Sequence, residues 1–166
     1  GKPINKKDFD MLQNNSVWIS KLSPLIVEVA QAIGPNGYKS IAIYGVSDQY
    51  FDILSRDLSI GEFFKEEEVN AAGKVCVIGE TLKKELFSDL DPIGRQIRID
   101  KIPFTVVGLL QEEGKGAMGQ DQDDIILAPY TTIQNRLHGH RSGYDILMAS
   151  AINEDHIIDA EIEATE

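Results

Sequence analysis

Between Val75 and Leu110 the apolar positions change their spacing three times, and each change marks a new element. Val75 to Ile78 is unbroken and β-branched apart from Cys76, the pattern of a short strand covered on both faces. Leu82 and Leu86 then stand one helical turn apart while Glu80 and Lys84 pair at the same spacing, which predicts a helix of about two turns with one buried stripe. Phe87 closes that helix against the core. Pro92 holds Asp91 out of the α region and Gly94 accepts a positive φ, so the chain turns there. Ile97 and Ile99 alternate with Gln96, Arg98 and Asp100, a one-sided strand. Its hairpin partner, Phe104 to Leu110, is apolar on both faces except at Thr105 and Gly108, and should lie deeper.

The flanking segments read as follows. Ile4 to Asn14 has Phe9 and Leu12 spaced for a short helix with Asn5 as a cap. Val17 to Ile33 alternates and β-branches, with Pro24 marking a bend or an edge. Gly34-Pro35-Asn36-Gly37 is a turn, and Tyr38 to Val46 returns as the second strand of a long hairpin. Ser47-Asp48 caps a short helix over Tyr50 to Leu54, Gly61 to Phe64 is extended, and Glu66-Glu67-Glu68 opens a solvated helix. Gln111 to Asp124 is polar and Gly-rich, an exposed loop. A strand over Ile125 to Ala128, a helix from Pro129 to Leu137 and a strand from Tyr144 to Ile152 follow. From Glu154 onward Ile158 and Ile162 are spaced for a helix, frayed by its many carboxylates. Strands and helices mix without strict βαβ alternation, so the fold class is α+β with mostly antiparallel strands, in one domain or in two subdomains that break near residues 41–48 or 73.

Composition narrows the function. A net charge of -11, with the 16 Lys and Arg scattered, excludes a nucleic-acid partner. Cys76 is the lone cysteine, so an internal disulfide, a zinc-thiolate cluster or a CxxC pair cannot form. No apolar run reaches the roughly 20 residues of a membrane helix.

Three chemical patterns dissolve on inspection. Gly114 to Gly119 matches G-x-G-x-x-G, but carboxylates flank it and a strand follows in place of the helix a pyrophosphate needs. Asp121, Asp123 and Asp124 resemble the start of a calcium loop, yet Ile126 and Thr132 stand where Gly and Glu belong, and Asp123 or Asp124 reads as a turn cap. His138 and His140 lack a visible third zinc ligand. No nucleophile elbow or P-loop occurs, so catalytic, metal and cofactor residues are all read as none.

One ordered series remains: Gly45-Val46-Ser47-Asp48-Gln49-Tyr50-Phe51, Gly61-x-Phe63-Phe64, Val77-Ile78-Gly79-Glu80-Thr81, Leu86-Phe87, Asp91-Pro92-Ile93-Gly94, Phe104 to Gly108, then Asp123-Asp124 through Pro129 to Arg136-Leu137-His138-Gly139. It resembles the periplasmic core domain of MacB-type, FtsX-like ABC transporter permeases over about Gly45 to Ile152, departing from it at Asp100-Lys101, where the family often has a glycine. The resemblance implies a mixed α/β subdomain beside a more β-rich one, inserted between transmembrane helices of an inner-membrane permease and facing the periplasm. It also implies a dimer, a cytoplasmic ATP-binding subunit or domain, a periplasmic partner or cargo, and no enzymatic chemistry. On this reading Phe87, Asp91, Pro92, Gly94, Phe104, Val107, Gly108, Asp124 and Pro129 shape a scaffold, and Glu112, Glu113, Lys115, Met118 and Gln120 lie on a partner-contact loop. The rival class, a free-standing small-ligand protein or enzyme, predicts a deep pocket with converging polar groups.

Overall fold

A computed structural model describes residues 6–7, 19–136, 146–151 and 160–163. The sequence-predicted helix at the N-terminus lies outside these apart from the helical Lys6 and Lys7, and His138 and His140 also lie outside. The described strands are β1 (Ile19–Gly34), β2 (Gly37–Val46), β3 (Leu58–Gly61), β4 (Val75–Ile78), β5 (Gln96–Ile99), β6 (Ile102–Leu110), β7 (Ile126–Pro129), β8 (Ile146–Ala151) and β9 (Ala160–Glu163). The helices are α1 (Tyr50–Leu54), α2 (Glu66–Asn70), α3 (Glu80–Phe87) and α4 (Tyr130–Arg136). The fold is α+β. Among the described strands only β2 with β7 and β4 with β6 run parallel.

The strand pairings close on themselves in the order β2, β7, β4, β6, β5, β1 and back to β2. The seam is short, Ala32 opposite Ile99 and Ile33 opposite Arg98. Asp100 fastens it: its N–H donates to Gln31 O at 3.0 Å and its carboxylate accepts from Gln31 N at 2.9 Å. The three strands of the central stretch lie side by side in the order β4, β6, β5. β5 buries Ile97 and Ile99 and exposes Gln96 and Arg98, while β6 is paired on both sides.

β1 belongs to two sheets at once. Over Ile26 to Gly34 it pairs with β2, and over Ile19 to Leu25 it pairs with β8, which carries β9 on its far side. Pro24 falls just before the exchange of partners, where a strand neighbour on one side only leaves its missing N–H without cost. Backbone groups freed at the exchange find side chains: Leu22 N donates to Gln49 Oε1 at 3.0 Å, and Ser47 N to the buried Ser23 Oγ at 3.0 Å.

Two apolar clusters hold the layers together. Leu82, Leu86 and Phe87 of α3 and Ile133 of α4 pack with Ile26, Ile43, Ile97 and Phe104 on one face of the sheet. Tyr50 and Phe51 of α1, Phe64, and Val69 of α2 cover Leu25, Val77 and Leu127 on the other. The Phe51 ring stacks on Phe63 at 4.2 Å and meets Phe64 edge-on at 4.8 Å.

Several boundaries depart from the sequence reading. Ala160–Glu163 is a strand paired with β8 and not a helix, because Ala160 and Ile162 alternate with Glu161 and Glu163 at the two-residue period of a strand. Pro129 ends β7 opposite Val46 and does not open α4. Gln49 caps α1 without a capping bond from its side chain, which is turned to Leu22 N, and Ser47 supports the helix start through its carbonyl and hydroxyl.

The β5–β6 turn places both Asp100 (φ 47) and Lys101 (φ 74) in the left-handed region. That is the geometry of a two-residue hairpin loop, and glycine fits the second position without the penalty that Lys101 carries. Lys101→Gly should raise stability by about 1 kcal/mol, read as a rise in the denaturation midpoint at unchanged slope. An unchanged or lowered midpoint would contradict the strain.

Candidate functional site

The loop between β6 and β7 has a buried base and an exposed tip. At the base, Arg56 from the α1–β3 connection reaches across: Nη1 donates to Gln122 O at 2.8 Å, and Nη2 to Gln111 O and to Asp123 Oδ1, each at 3.0 Å. Its Nε lies 3.5 Å from Glu113 Oε1 without hydrogen-bond geometry. The Asp123 carboxylate also accepts from Glu113 N at 2.9 Å and Gly114 N at 2.8 Å. A charge desolvated this far must be paired, and here both partners are.

The same segment caps α3. The helix has no side-chain cap of its own, and the Asp123 carbonyl accepts from Thr81 N at 3.1 Å. Gly79 is obligatory for this approach, since a Cβ there would collide with Asp123 O. Thr81 Oγ1 donates to Asp121 Oδ2 at 2.7 Å, and that bond holds the Asp121 carboxyl below the usual carboxylate range. Asp121 Oδ1 accepts from Asp123 N at 2.8 Å, so the turn cap expected of Asp123 or Asp124 is Asp121. Asp124 instead meets Lys39, whose Nζ also lies 2.9 Å from Glu85. Partial burial would lower the Lys39 pKa, but its bonds to Glu85 and Asp124 outweigh it and the pKa is raised.

Beyond the base the loop is held by its own backbone. Lys115 bridges Asp121, Gly116 N donates to Gln120 O at 2.8 Å, and Met118 N to Gln120 Oε1 at 3.1 Å. Gly114 and Gly119 supply positive φ where no neighbour would meet a Cβ. Glu112, Glu113, Lys115, Met118 and Gln120 are all exposed, Met118 to 90%. The stretch Gln111 to Asp124 is therefore only partly the exposed loop that its polarity predicts: Asp123 is 1% exposed, because a carboxylate that finds a guanidinium and two N–H donors can leave water. The G-x-G-x-x-G pattern ends in this turn and runs into β7.

The scaffold residues sit elsewhere. Phe87, Pro92, Phe104 and Pro129 are buried. Asp91 Oδ1 accepts from Ile93 N at 3.0 Å, and Gly94 (φ 83) donates to Val106 O at 2.8 Å, which ties the turn to β6. Gly108 faces Gly61 across β6 and β3, where a Cβ on Gly108 would collide with Glu62 O, while Val107 O accepts from Glu62 N at 2.8 Å. Arg56, the centre of the base, carries no local sequence signal: its partners are 55 to 67 residues away. Among the described residues a surface cleft of about 440 Å³ is open and lined by Asp48, Leu58, Phe63, Phe64, Lys65 and Glu66.

The family described as MacB-like periplasmic core domain matches residues 1–165. The chain belongs to that family. The macrolide export ATP-binding/permease protein MacB of Syntrophobacter fumaroxidans is 35% identical over 137 residues, 82% of this chain and 19% of that protein. MacB of Bdellovibrio bacteriovorus is 38% identical over 137 residues, again 82% of the chain and 21% of the protein. The chain thus spans about a fifth of the length of these relatives. In fold, this MacB-like periplasmic core domain matches the periplasmic region of MacB from Actinobacillus actinomycetemcomitans with TM-score 0.79 at 23% identity, covering 93% of this chain and 67% of that one. The extracellular domain of the ABC-type transporter YknZ from Gram-positive bacteria matches with TM-score 0.78 at 16% identity, covering 92% and 75%.

Proposed function

We propose that this MacB-like periplasmic core domain is the periplasm-facing relay of an inner-membrane ABC-type permease, performing no reaction of its own. It passes movement from a cytoplasmic ATP-binding part, through flanking transmembrane helices, to a cargo or periplasmic partner, and it works as a dimer within the full transporter. The observation that carries this reading is β1, one continuous strand that serves both the closed sheet and the β8–β9 sheet. A shared strand has no linker at which the two parts can move independently, so displacement of one drags the other. Two subdomains joined in this way fit the reading; the sequence breaks at 41–48 and 73 fall at the end of β2 and just before β4. Glu112 to Gln120 is the partner-contact loop, because its fixed base gives the exposed tip a defined position. The relatives' names, ATP-binding/permease proteins for export, support the class of machine.

The test is a two-glycine insertion between Pro24 and Leu25 in the intact permease. Transport should be lost while ATP hydrolysis and membrane abundance persist. Transport at the parental rate with the insertion in place would overturn the relay.

A further inference from the structure

Two sulfur-containing side chains, those of Cys76 and Met118, are in opposite states. Cys76 is fully buried and burial pushes its thiol pKa up, so thiolate chemistry is closed to it. Met118 is 90% exposed at the apex of the β6–β7 loop. A thioether needs no deprotonation to react, only access. The main chain around it is fixed without help from the side chain, by Gly116 N to Gln120 O and Met118 N to Gln120 Oε1.

We propose that Met118 is an oxidation site, and that its sulfoxide switches off the contact made by the loop tip; the second half rests on the partner-contact reading above. A peroxide is the oxidant. Its O–O bond breaks, one oxygen joins Sδ, the sulfur gives up two electrons, and hydrogen peroxide leaves as water. A dithiol reductase of the methionine sulfoxide class reverses the step, forming a disulfide and water. The modification turns the one large apolar side chain of the tip into a polar one. Because Met118 packs against nothing in the base, the fold survives, and the loss is confined to whatever the tip touches.

Hydrogen peroxide treatment of the purified chain, followed by trypsin and mass spectrometry, isolates Met118 on the peptide Gly116 to Arg136, separate from Met11 and Met148. Addition of one oxygen there should proceed at the rate seen in the urea-unfolded chain, with the thermal midpoint unchanged. A rate at least about tenfold slower in the folded chain would overturn the site, since exposure is the whole argument. In the intact permease, a photo-crosslinker at the exposed Lys115, whose bridge to Asp121 is made by its backbone, then reads the contact. Peroxide should reduce the crosslink to a periplasmic protein about tenfold in the wild type and leave it unchanged in Met118→Leu, tenfold being the order expected for losing one buried thioether. Oxidation with an undiminished crosslink would sink the switch and leave the contact standing. Oxidation with no crosslink even before peroxide would sink the contact reading and the switch together, leaving only the modification site.

Discussion

Asp123→Ala should lower stability by about 3–5 kcal/mol, or roughly 10 °C in thermal midpoint, an effect far larger than any surface carboxylate would give. The reason is the guanidinium left behind. Arg56 is 7% exposed and Asp123 2% exposed in their side chains, so removal of the carboxylate strands a positive charge in a site with little water. Two loop N–H groups, of Glu113 and Gly114, lose their acceptor at the same time. The double variant Arg56→Met/Asp123→Leu should recover much of the loss, since replacing both members of a buried pair removes the desolvation cost along with the attraction. Thermal denaturation of the two variants decides it: equal losses in single and double would mean that the charge pair is not the source.

Phe104→Ala should cost about 3–5 kcal/mol, whereas Phe104→Leu should cost less because it leaves a smaller void. Phe104 is fully buried in β6 opposite Ile97 and joins the cluster that α3 closes with Leu82, Leu86 and Phe87. An alanine there leaves a cavity lined by rigid strands that cannot collapse into it. Urea denaturation with an unchanged slope and a much lower midpoint is the expected result. A loss below about 1 kcal/mol would mean that the sheet repacks, against the rigid core invoked for the relay.

Local pattern carried the central stretch because its elements are specified by neighbours a few residues apart. The run at Val75 to Ile78, the Leu82–Leu86 stripe and the Ile97–Ile99 alternation each state one face, and Pro92 with Gly94 states the turn. The same logic failed where two periods compete: Ile158 and Ile162 are four apart, yet Ala160 to Glu163 also alternates, and pairing with β8 selects the strand. Of the site, the polar loop was legible and its base was not. Arg56, Asp123 and the cap that Asp123 gives α3 depend on long-range contacts that no window contains. The closure of the sheet through Ala32 and Ile99 is hidden for the same reason, as is the double membership of β1.

On the proposed relay reading, this domain moves as one piece because β1 runs through both sheets. Spin labels at Gln31, in the part of β1 that pairs with β2, and at Ser150, in β8, measure the distance across it in the intact permease. That distance should stay constant between the nucleotide-free and ATP-trapped transporter, while the Gln31-to-Gln31 distance between the two copies changes. A nucleotide-dependent shift from Gln31 to Ser150 within one copy would show the two sheets moving separately and would contradict the account.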